Sequence, residues 1–336
     1  MSTHTSTTTS TSTSTSTSTS TSTIFSRSSA FWANYVKGRP PVPSSFWDRI
    51  FSYHESHSGL GSGGFNTAHD VGAGNGVHSA QLRSRFSNVI VSDIVPDNIA
   101  LARQLLSSPS STSENGEGGG FSFRAADISS TANIPAGSID LVFAANVMHF
   151  AEPQAEAMKA IAYQLRSGGT FAAALFGPAR FADPAVQHLW ERISFAGGRE
   201  LLRVAGDKEK TIRVMARTEG KYSVAPLDGD LFVPGGKRVY LNMTEGGIQG
   251  MLPPEERHRN AEPSYVGVDD VEVFEEDEAW NFEMDLDGVK EHFGSFPFIS
   301  QFPEAFTELY RELEEMKEKG PFKGWYPVTI ILATRR

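Results

Sequence analysis

The sequence predicts an α/β protein, a doubly wound and largely parallel sheet that carries an inserted cap. Three observations lead there. Between residues 67 and 176, short β-branched runs alternate with helical patterns, as parallel strands joined by crossover helices require. A glycine-rich turn, Asp70-x-Gly72-x-Gly74-x-Gly76, follows the first of these runs and opens a helix. Two later runs end in an acid, at Asp93 and Asp127. The 336 residues are long for one domain and short for two, which suits a Rossmann-like core with an insertion.

Residues 1–23 alternate Ser and Thr almost without a break. Such a tail has no apolar surface to offset the entropy of ordering, and disorder is expected. Residues 24–62 form a helical N-terminal region. Its first helix, rich in aromatics from Phe31 to Tyr35, stops at Arg39-Pro40-Pro41. A second helix over 44–54 places Phe46, Trp47, Ile50 and Phe51 on one face.

The core, residues 63–178, is read as strands over 67–71, 89–93, 121–125, 139–144 and 170–176, with helices over 77–86, 96–106 and 153–165. Residues 107–120 are Ser-, Gly- and Pro-rich and read as a floppy insertion. Arg166-Ser167-Gly168-Gly169 reads as a helix stop. The pattern changes over 179–278, read as the inserted cap and acceptor region. It holds a helix over 184–196 with Val186, Leu189, Trp190 and Ile193 on its apolar face, a strand over 238–242, and an acidic run over 272–278 expected to face solvent. Residues 279–336 complete the core with a strand over 280–286, a helix over 287–296, an amphipathic helix over 303–319 and a last strand over 325–334. These last two strands and the five of the core make a seven-stranded sheet, with the 238–242 strand left to the cap.

The glycine turn lets a backbone approach a ligand where a Cβ would clash. A dinucleotide site needs G-x-G-x-x-G, and Val77 stands where its last glycine would fall, which disfavours an NAD-dependent oxidoreductase. A carboxylate such as Asp70 suits a ligand with an ammonium and a ribose better than one with a pyrophosphate. Asp93 lies about 17 residues beyond Gly76, near the spacing at which an acid grips a ribose hydroxyl.

This order of motifs resembles the class I S-adenosylmethionine (SAM)-dependent methyltransferases: Asp70 to Gly76 as motif I, Val89 to Asp93, Phe121 to Ile128, and Ser138 to Phe150. The resemblance implies SAM as cofactor, with S-adenosylhomocysteine as product, and an antiparallel last strand. It also implies that Asp127 meets the adenine amino group, with an apolar neighbour on the ring. Ligands of such sheets sit beyond the carboxyl ends of the strands, which aligns Asp70, Asp93, Asp127 and Asn146 along one rim. Tyr35 and Arg39 resemble the N-terminal lid of the trans-aconitate methyltransferase-like branch. Val147-Met148-His149-Phe150, the turn from Leu165 to Thr170, and Phe176-Gly177-Pro178 agree with that branch. The cofactor set so implied is Tyr35, Arg39, Asp70, Gly72, Gly74, Gly76, Asp93, Ile94, Asp127, Ile128 and Asn146. The acceptor set is Trp32, His149 and Arg180, with His149 as the candidate catalytic residue.

The acceptor class is bounded by composition. A net charge of −10 argues against nucleic acid. Asn146-Val147-Met148-His149 also lacks the Pro-Pro of nucleic-acid and glutamine amino-methyltransferases. There are no cysteines, and no acid cluster like that of the metal-dependent catechol enzymes, so no metal is expected. No apolar run approaches the roughly 18–20 residues of a membrane span, and no secretory signal is evident, so a cytoplasmic enzyme acting on a small molecule is expected. A carboxylate oxygen is the first expectation, since its pKa near ~4 leaves it ionised at neutral pH. One alternative is a phenol or enol O-methyltransferase of secondary metabolism with His149 as base. Another is a protein of this fold that binds SAM without transferring methyl.

Overall fold

The computed structural model describes residues 29–59, 64–107, 120–243 and 246–336. The Ser/Thr tail and nearly all of the 107–120 insertion lie outside the described residues. The strands are β1 (Thr67–Val71), β2 (Asn88–Asp93), β3 (Phe121–Ala125), β4 (Ile139–Ala145), β5 (Leu165–Phe176), β6 (Arg180–Phe181), β7 (Lys237–Leu241), β8 (Val271–Glu275), β9 (Asn281–Met284), β10 (Phe322–Trp325) and β11 (Val328–Thr334). The main sheet runs β3-β2-β1-β4-β5-β11-β7-β8. The first five are mutually parallel, and β11 is antiparallel to both β5 and β7. The strand order reverses between β1 and β4, and a ligand crevice belongs at such a switch point.

Period-2 alternation divides the core between the faces of the sheet. On one face Leu141, Phe143, Ala172, Ala174, Ile330 and Leu332 meet helices α2 (Ser44–His57), α3 (Val77–Arg83), α4 (Pro96–Leu106) and α6 (Pro184–Val204). On the other, Val142, Ala144, Phe171, Ala173 and Ile331 meet α5 (Gln154–Gln164) and the loop residues Tyr222, Val224 and Phe232. Helix α1 (Ser29–Gly38) lies outside both layers and packs on α8 (Leu286–Gly294).

Four features differ from the sequence reading. The main sheet has eight strands, because Lys237–Leu241 pairs with β11 and Val271–Glu275 pairs in parallel with β7, while the strand expected over 280–286 is not in it. The alternation of Val with Glu in Val271–Glu275 reads as a charge run, yet Glu272 and Glu275 are held by Lys221 and Arg49. The strand expected over 280–286 is β9, which joins β6 and β10 in a separate three-stranded sheet. Strand β5 begins at Leu165, directly after α5, and a register shift against β4 between Ile139 and Leu141 absorbs the extra residues. Helix α6 runs to Val204 through Gly197 and Gly198, where a Cβ would strike the Phe298 ring and the Met251 carbonyl. Those glycines permit close packing and do not stop the helix. A further helix, α7 (Lys208–Arg217), is capped by the Asp207 carboxylate, which accepts from the Lys210 N–H. The segment read as a cap is thus partly continuous with the main sheet through β7 and β8.

Candidate active site

The glycine turn after β1 holds Gly72, Gly74 and Gly76 at φ of +66°, +57° and +80°. All three are also crowded, Gly76 by Leu106 Cδ1, 2.7 Å from where a Cβ would stand. A Cβ on Gly72 would run into the Val147 side chain, and one on Gly74 would come within 2.5 Å of Trp32 Cη2. Asp93, at the end of β2, organises the turn. Its Oδ2 accepts the Gly74 N–H at 2.9 Å, and its Oδ1 accepts the Val95 N–H at 2.9 Å and the Asn98 side-chain amide at 3.2 Å. Asp70 points inward, 1 % exposed, and accepts from the Ser79 hydroxyl of α3 at 2.6 Å. Burial, with Asp93 adding repulsion, pushes its pKa up to about 7.

Helix α1 covers this turn. The Trp32 indole lies against Gly74, donates to Asn98 Oδ1 at 3.2 Å and meets Tyr35 edge-on. The Tyr35 hydroxyl accepts from Asn146 Nδ2 at 3.3 Å. Asn146 adopts φ +53° just past β4, and its Oδ1 takes the Phe176 N–H at 2.9 Å, so one side chain joins the ends of β4 and β5 to the lid. Behind it, the Arg39 guanidinium stacks on Phe296 at 4.0 Å and on Tyr35 at 5.0 Å. Trp32, Tyr35, Gly74, Asp93 and Asn146 therefore converge at the carboxyl rim of the sheet.

Ile94, just past β2, and Asp127 and Ile128, just past β3, stand at the same carboxyl rim, where the Ala126 N–H donates to the Asp93 carbonyl. Asp127 is exposed, accepting the Ser129 N–H at 2.8 Å, and Ile128 packs partly into the core. Ile94 is 55 % exposed. His149 is buried in the short turn Met148–Phe150, and its Nδ1 and backbone N lie 3.3 and 3.2 Å from the Tyr222 hydroxyl. Burial, reinforced by Arg217, drives its pKa down to about 3. Arg180 donates to Gln249 Oε1 at 3.0 Å and to the Gly247 carbonyl at 3.2 Å. Among the described residues, no group of three or more His, Asp and Glu is placed to hold a metal, and no helix is long and apolar enough to cross a membrane.

Asn98, Trp280, His292 and Tyr326 were missed by sequence reasoning. His292 takes the Ala179 N–H on Nε2 at 3.0 Å and contacts the Gly38 carbonyl through Nδ1 at 2.8 Å, so it is the neutral Nδ1–H tautomer that ties the lid to the end of β5. Its partners lie more than a hundred residues away in sequence, and no local pattern announces them.

The chain is similar to proteins of one kind. A family profile described as a methyltransferase domain matches residues 69–173. The methyltransferase gedG of Aspergillus terreus is 50 % identical over 93 % of this chain and 93 % of its own. The methyltransferase tpcM of Aspergillus fumigatus is likewise 50 % identical, over 93 % of this chain and 94 % of its own. The same fold occurs in an Anaeromyxobacter dehalogenans protein assigned to the type II methyltransferases, at TM-score 0.54 and 17 % identity, covering 88 % of this chain and 97 % of that one.

Proposed function

The chain belongs to the class I SAM-dependent methyltransferases, and from that premise we propose that it methylates a carboxylate oxygen of a small-molecule acceptor. The residues at the turn suit SAM. Gly74 carries no Cβ, so its backbone is open to a ligand once the Trp32 side chain now against it is lifted, and Asp93 Oδ2 keeps one lone pair for a ribose hydroxyl. When bound, SAM supplies a methyl carbon on a sulfonium. The acceptor oxygen forms its bond to that carbon as the C–S bond breaks, and the electron pair goes to sulfur. No proton moves if the acceptor is already ionised.

The observation that carries the carboxylate reading is the state of His149. Its ring is buried against Tyr222 and its pKa is depressed to about 3, which suits a residue orienting the loop better than a base that must take a proton near neutrality. A carboxylate needs no base. Chain residues then act by position: Asn146 and Tyr35 clasp the rim, and Trp32 excludes water from the turn once the lid is down. A ligand reaching Gly74 has to lift Trp32, so binding is coupled to movement of α1.

The test uses SAM with a tritiated methyl group and the full chain, offered aromatic acids and phenols in parallel. The expected product is an ester whose label is released as methanol by mild alkali. Its rate should be flat between pH 6 and 8, above the carboxylate's titration. Alkali-stable label on phenols, with a rate rising with pH, would overturn the reading.

A further inference from the structure

A cavity of about 410 Å³ opens between the end of α1, helix α8 and the β9 edge. Its walls include Arg39, Trp280, Phe282, Met284, His292 and Tyr326, and the Lys37–Glu291 ion pair stands at its side. The volume is that of a drug-sized ligand site, and the lining is the expected mixture of aromatic surface and a few polar groups. Tyr35 links it to the carboxyl rim of the sheet. The Tyr35 ring that stacks on Arg39 also carries the hydroxyl bound by Asn146.

Arg39 is the anomaly in this wall. The buried arginines elsewhere have carboxylates: Arg217 pairs with Glu262 at 2.7 Å, and Arg238 with Asp270 at 2.6 Å. Among the described residues Arg39 has no ion-pair partner, and its Nε is buried with no hydrogen-bond partner. Two aromatic rings hold it instead. A desolvated cation without an anion is costly, even in a chain with ten more acids than bases. Beside it, the Trp280 side chain is 1 % exposed with its indole N–H unpartnered, and the Tyr326 phenol pKa is pushed up to about 12 by burial, partly offset by Arg39. His292 has both ring nitrogens engaged and is held neutral, so it shapes the wall without competing for a proton.

We propose that this cavity is the acceptor site, and that it takes a planar aromatic carboxylic acid whose carboxylate pairs with Arg39 while its rings lie against the half-buried Phe282 and Met284. The proposal rests on the carboxylate-methylation reading above. A carboxylate has two oxygens, so one can bond the guanidinium while the other is presented to the methyl carbon. Methylation then removes the charge, and the ester loses the ion pair that held its precursor. The same residue thereby favours substrate over product.

The test is calorimetric titration of 2-naphthoate and of its neutral analogue 2-naphthamide into the full chain saturated with S-adenosylhomocysteine. The acid should bind at least tenfold more tightly than the amide, and Arg39→Gln should abolish that preference. Met284→Trp, which fills the cavity and keeps Arg39, should weaken both ligands at least tenfold. The proposal is overturned if neither probe binds at millimolar concentration, if the amide binds as well as the acid, or if the preference survives Arg39→Gln. Failure here is distinguishable from failure of the broader reading. Esters that still form when binding ignores Arg39 move the acceptor elsewhere and leave carboxylate methylation standing. Arg39-dependent binding accompanied only by ether products leaves the cavity standing and removes the carboxylate.

Discussion

Asp70 and four histidines give the fold a pH dependence that can be worked out residue by residue. Asp70 has its pKa raised to about 7 by burial, so its neutral form is the one the fold prefers. Its stabilising contribution is full below the unfolded value of 3.8 and is lost as pH rises through about 7. His69 and His78 are lowered to about 4, and His149 and His292 to about 3, all chiefly by burial. Their contribution has the opposite sign: it is present above the unfolded 6.5 and is lost as pH falls toward 4 and then 3. Denaturant melts of the ligand-free protein should therefore show stability falling steeply below about pH 6.5, where four histidines outweigh Asp70, and staying nearly level above about pH 7, where none of the five titrates further. The Asp70→Asn variant should gain about 2 to 3 kcal/mol on the wild type between pH 5 and pH 8. A difference independent of pH would mean that Asp70 is not buried as described. At this scale Asp93 was legible, because an acid ending a strand after a glycine turn has a mechanical role. The burial of Asp70 was not, since the Ser79 hydroxyl that turns it inward lies on the following helix.

Helix α1 is the element whose placement matters most for the site, and a glycine at its end sets that placement. A Cβ on Gly38 would collide with the Glu291 carbonyl of α8 and come within 2.8 Å of Ser295 Cβ. Gly38→Ala should therefore unseat the lid. Overpacking of this kind costs about 1 to 3 kcal/mol, and protease cutting within residues 29–39 should accelerate. Unchanged stability and unchanged cutting would show that α1 does not depend on this contact. Strand elements that are nearly continuous apolar runs, such as β4 and the second half of β5, were readable from the sequence. Strand β8 was not, because Glu272 and Glu275 read as part of a charge run and their cationic partners, Lys221 and Arg49, come from distant elements. The extension of α6 was hidden for a related reason. Gly197 and Gly198 read as a stop until Phe298 and Met251 are seen pressing on them.

Across the whole molecule, the site has two halves. Over β1 and β2 lie the glycine turn and Asp93. Between the end of α1, α8 and the β9 edge lies the cavity walled by Arg39, Trp280 and Tyr326, and Asn146 with Tyr35 stands between the two. The cofactor half was legible because its residues are clustered in sequence and the chemistry of ribose and backbone constrains their types. The proposed acceptor half was not, since the sequence reading put Arg39 with the cofactor and Trp32, His149 and Arg180 with the acceptor: the cavity walls are assembled from residues up to 289 positions apart, from Lys37 to Tyr326. Everything in this arrangement depends on SAM lying against the Asp93 turn. The most direct test is calorimetric titration of SAM into the wild-type chain and into Asp93→Ala. A wild-type affinity reduced at least tenfold by the substitution is the expected result. Equal affinity in the two proteins would contradict the placement of the cofactor, and with it the division of the site into two halves.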